Sequence, residues 1–180
     1  MKFSPLVALL STEYGANIAS VEEFVGGLMY GLLQKDDLPE IKLCLQNEQK
    51  LESEIETAIA DFEKKDFKDI LAGVKVVGEI IQELPTDLAD CKNIQDDVQK
   101  IEAWAKIFVE PAKLLPVLSE NILKNWRTIS QDVLKTESDW KAADYKDAGI
   151  DVADILVESV GPISKVFETL YWVSFPSNLT

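Results

Sequence analysis

The decapeptide ADFEKKDFKD at residues 60–69 returns as SDWKAADYKD at 138–147, 78 positions further on. In each copy an aromatic residue, Phe62 or Trp140, precedes a short charged stretch. An aspartate, Asp66 or Asp144, then stands directly before a second aromatic, Phe67 or Tyr145. Aspartate ahead of an apolar run is a helix N-cap signal, because its carboxylate accepts from amides that the first turn leaves free. A further acid follows in that turn, Asp69 or Asp147, where the helix dipole favours negative charge. The two aromatics flanking each cap can clasp across it, as in a hydrophobic staple. Downstream, GVKVVGEI (73–80) matches GIDVADIL (149–156) after a two-residue shift, and each copy runs on to a proline, Pro85 or Pro162. The repeat therefore encodes one device twice, a corner between two antiparallel helices. Its acids, Asp61, Asp66 and Asp69 with Asp139, Asp144 and Asp147, also admit a reading as twofold calcium ligands. They lack the alternating D-x-D-x-D-G loop and the bidentate glutamate of an EF-hand, so caps and corner packing explain them better.

Apolar residues at steps of three and four fill in the rest of an all-α fold, an antiparallel bundle of five or six helices. Ser20 and Glu23 form a capping box for a first helix ending near Lys35, with Gly27 and Gly31 on one face for close helix–helix approach. Asp37, with Pro39 and Glu40 behind it, caps a helix whose stripe runs from Ile41 through Cys44 to Phe62. Another helix is expected to open at Thr86, after Pro85, and to carry Cys91, Val98, Trp104 and Phe108 inward. Leu115 to Val133 continues the pattern, with Pro116 bending its first turn. A helix from Tyr145 to Val160 closes at Gly161-Pro162, and the aromatic-rich tail, residues 163–180, adds a short final helix.

The segment MKFSPLVALLSTEYGANIAS has a lysine at position 2, a short apolar run and small residues after it. That reads as an export signal over residues 1–19, leaving 20–180 as a single helical domain; a retained strand or short helix is the alternative. The apolar run is too short to span a bilayer, so no transmembrane segment is expected in the mature chain. Cys44 and Cys91 each sit on an apolar stripe just inside a proline-marked helix, LPEIKLC and LPTDLADC. The chain runs up one helix, turns the Asp66 corner and returns, which brings the two sulfurs together as a disulfide. In a reducing compartment they would instead be buried thiols. Asn178 begins an N-L-T sequon at the C-terminus, a weak glycosylation signal.

The chemistry available is narrow. There is no histidine, which removes the commonest general base and zinc ligand. No phosphate-binding glycine loop and no nucleophile elbow occurs, and no cofactor is expected. Eighteen basic residues stand against 32 acidic, a net charge of -14, with no basic stripe for nucleic acid or anionic membrane. The acidity serves solubility, or diffuse binding of cations or a basic partner. Trp104, Trp126 and Trp140 fall at core-facing or corner positions, where they pack the interior or line an apolar pocket.

The ordered elements QKDDLPEIKLC, IADFEKKDF, IIQELPTDLADC, IEAWAKIF and DWKAADYKDAGIDVADIL resemble a family of small exported proteins of ciliated protists. The resemblance covers roughly residues 24–160, implies export and helicity, and carries no site residues. The expectation is a secreted structural or protein-interaction bundle, not an enzyme, acting on other protein chains or by self-assembly in a matrix, coat or granule. The alternative is a carrier of lipids or other small apolar ligands.

Overall fold

A computed structural model of the chain describes residues 18–163. The expected signal segment up to residue 17 hence lies outside the described residues. So do the tail beyond Ile163 and Asn178. Ile18 and Ala19, assigned to the end of the signal, form the first turn of helix α1 (Ile18–Leu33). The other helices are α2 (Leu38–Cys44), α3 (Glu48–Glu63), α4 (Phe67–Asp87), α5 (Gln95–Ala105), α6 (Pro111–Lys124), α7 (Trp126–Lys141) and α8 (Tyr145–Val160). Single 3-10 turns, Lys92–Ile94 and Lys106–Val109, lead into and out of α5. Among the described residues there is no strand, and the fold is the expected all-α bundle with one disulfide.

Both corners form at the same register. Helices α3 and α7 end at Glu63 and Lys141, α4 and α8 begin at Phe67 and Tyr145, and the turn residues Lys65 and Ala143 are left-handed, with φ 60 and 62°. In one corner the Lys65 amide donates to the Phe62 carbonyl; in the other Ala143 donates to Trp140. The aromatics then take different partners. The ring of Phe62 presses on Gly73 of α4, whereas Trp140 stacks edge-on against both Tyr145 and Phe24.

Helix α8 is the hub, packed against α1, α6 and α7. Its contact with α1 is the most intimate, because glycines let the backbones touch: Gly27 lies against the Lys146 carbonyl, and Gly149 against the Phe24 carbonyl. Gly31 meets Ile150 and Ala153, so the pairing advances in step and the two helices run parallel. Phe24, Leu28 and Met29 of α1, Ile80 and Ile81 of α4 and Trp104 of α5 are among the large side chains sealed in the core.

Three boundaries depart from the sequence reading, each for a tertiary reason. The helix expected from Asp37 to Phe62 breaks after Cys44, because the Gln46 amide and the Asn47 side chain both turn to Asp87. Asn47 takes the left-handed conformation there, φ 57°. Pro85 does not end α4, nor does Thr86 open the next helix. Proline forfeits one amide bond in the last turn, while Leu84 and Leu88 on either side are buried and hold the chain inward. The expected Leu115–Val133 helix divides at Asn125. The side chains of Asn125 and Asn121 are drawn off to cap the Glu158 and Ser159 carbonyls at the end of α8.

Candidate functional site

Cys44 and Cys91 are joined, with their Cα atoms 5.3 Å apart. Cys91 is buried and Cys44 half-buried, since α2 lies at the surface. The bridge ties α2 to the turn ahead of α5, and polar contacts reinforce it: Gln46 meets Asp90, and the Asn93 side chain donates to Glu40 at 3.1 Å.

The three expected caps behave differently. Asp66 has an extended backbone and accepts from the Asp69 amide at 2.9 Å, a contact that holds its carboxyl below the usual range. Asp144 precedes α8 as expected but makes no side-chain cap bond, because ψ of 64° leaves the extended geometry that aims a carboxylate at the helix amides. Asp37 likewise has no cap bond, with ψ near 3°; it pairs with Lys35 at 3.3 Å. The acids of the repeat do not converge. Lys64 binds Asp61 and Asp69 in one corner, while in the other Lys141 turns to Glu137 and Glu63 and Asp139 faces α8. Among the described residues no group of three or more acids or cysteines is arranged to hold a metal ion.

The tryptophans are not brought together. Trp104 is sealed in the core, edge-on to Phe108, its indole donating to the Gly161 carbonyl at 3.2 Å. Trp140 belongs to the second corner, and Trp126, half-buried, opens α7. An apolar groove of about 420 Å³ does exist, but other residues build it. Phe108, Val109, Pro111, Leu114 and Leu115 form its floor and one wall; Lys75, Glu79 and Gln82 of α4 form the opposite rim. Val109 is 63% exposed and Leu115 39%. Sequence reading missed this groove, although the apolar KIFVEP and LLP runs, two residues apart, were a signal that more apolar surface was present than one helix stripe needs.

Several carboxyls are buried with an oxygen lacking any partner: Asp37, Asp87 and Asp151. Burial pushes each of them above the usual carboxylate range, and Asp151 reaches about 7. Nothing in the linear sequence marks them, since aspartates are common in this chain.

The corners and the bridge define a class, the small disulfide-stapled all-α bundle. Within it the chain belongs to the SctB-like family, secreted protein B-like, whose model it matches over residues 7–159. No curated protein and no solved structure matches the chain. Among the described residues no helix is long and apolar enough to cross a membrane.

Proposed function

We propose that the protein is an exported structural or protein-interaction bundle that acts through its helical faces and performs no catalysis. The observation that carries this reading is the groove between α4 and α6, rimmed by exposed Val109 and Leu115, because apolar surface left open beside polar rims marks interaction sites. Membership of a family of secreted proteins and the disulfide support export. The resemblance to exported ciliate proteins supports a matrix, coat or granule component. The partners are other protein chains, copies of itself included.

Native mass spectrometry of protein from its source tests this. A ladder of oligomers, or a stoichiometric protein partner, that disappears in Val109→Asp and Leu115→Asp is the expected result. Monomer at every concentration, with nothing bound, would sink the reading. The second reading, a carrier of lipids or small apolar ligands, is favoured by the groove volume alone, which falls within the range of small-molecule sites. A bound lipid mass lost in the same variants would establish it instead.

A further inference from the structure

The seam between α7 and α8 holds a carboxyl group with no donor to serve it. Asp151 of α8 is 8% exposed, and its Oδ2 has no hydrogen-bond partner. Across the seam the Asp139 carboxyl of α7 stands within hydrogen-bonding reach of it. Ionised carboxylates only accept, so two of them in contact repel; a hydrogen bond between them requires a proton on one.

The surroundings withhold a compensating cation. From α7, Asp132 adds a second negative charge and Lys135 the neighbouring positive one, but Lys135 is bound to Asp132 at 2.6 Å. On α8 itself Asp154 and Glu158 lie in the same acidic field, which Asp132 also feeds. Helix α1 offers this stretch of α8 the Gly31 face, and α6 meets its end through the uncharged Asn121 and Asn125. Helix α4 touches α8 only marginally and supplies none of these charges.

We propose that Asp139 and Asp151 form a proton-sharing clasp that fastens α7 to α8 in mildly acidic solution and loosens as the pH rises through neutrality. The geometry gives the proton a defined place, between two carboxyls on facing helices. The raised affinity of Asp151 for its proton, near pH 7, sets where the clasp works. The device stands whether or not the protein is exported.

The test is hydrogen exchange of the full chain from pH 5.5 to 8.5, with a carbon-13 titration of the aspartate carboxyls. Wild-type protection of α7 and α8 amides, corrected for intrinsic rates, should fall about tenfold between pH 6 and 8, as linkage to a group titrating near 7 requires. Asp151→Asn, which keeps shape and removes the ionisation, should abolish that fall. Asp139→Asn should lower the titration midpoint of Asp151. The proposal is overturned if Asp151 in the wild type titrates in the ordinary carboxylate range. It is equally overturned if Asp151→Asn keeps the pH-dependent loss at the seam. The wild-type titration decides the matter even where a variant fails to fold.

Discussion

The carbonyl oxygen of Lys146 lies 1.9 Å from where a β-carbon on Gly27 would stand. No side-chain movement relieves that approach, because the obstacle is backbone. Gly149 repeats it from the other helix, 2.2 Å from the Phe24 carbonyl. Gly27→Ala and Gly149→Ala should therefore force α1 and α8 apart and cost about 1–3 kcal/mol each, the usual range for overpacking. Urea denaturation measures the loss. Gly26→Ala is the control: it meets only the side chain of Leu38, at 2.7 Å, and should be milder.

The Cys44–Cys91 bridge spans 47 positions of the chain. Closing a loop of that length restricts the unfolded ensemble by an amount worth roughly 4 kcal/mol in the chain-entropy account. The double variant Cys44→Ser/Cys91→Ser should lose stability of that order against denaturant while keeping its helical circular dichroism. Alkylation of native, unreduced protein should label neither cysteine.

The two corners separate cap position from cap bond. Asp66→Ala removes an acceptor from the Asp69 amide, so it should lower the thermal midpoint. Asp144→Ala removes no such bond and should move the midpoint less. Equal losses at the two sites would mean that helix-dipole attraction, not the hydrogen bond, dominates.

Acidity should stabilise the fold at first. Asp37 and Asp87 are held above the usual range chiefly by burial, with Lys35 and Asn47 opposing it. The folded chain thus keeps protons that the unfolded chain, with carboxyls titrating near ~4, has already released. Stability rises as the pH falls from neutral through the folded values and stops rising near the unfolded ones. Below that, groups held low, such as Asp66, Asp97 and Glu137, are protonated and their contribution is lost. A scan of thermal midpoint against pH should show a maximum on the acid side of neutrality. In Asp37→Asn/Asp87→Asn the rise towards it should flatten.

The parts of this fold that depend on neighbours in the chain were legible in the sequence. The corner signature at Asp66 and Asp144 gave both turns at the correct register, and the path around one of them paired Cys44 with Cys91. Where a distant residue competes for a local bond, reading failed: Asp87 breaks the helix at Asn47, and the end of α8 recruits Asn125. Gly27 and Gly31 announced a close helix contact, yet nothing in their own segment named α8 as the partner. The groove at Val109 and the carboxyl of Asp151 were invisible for a related reason. Both are defined by what faces them from another helix, and the chain spells out only one side of each.

The parallel pairing of α1 with α8 also sets an order of events in time. An emerging chain makes α1 first, but its glycine face finds no match until Gly149 and Ala153 have been synthesised. At ~10 residues per second, that wait is roughly ten seconds. The Cys44–Cys91 segment and the α3–α4 corner are complete well before then. The molecule thus closes last at its most intimate contact, and a chain interrupted before Tyr145 is left with Phe24, Leu28 and Met29 uncovered for whatever chaperone patrols the compartment.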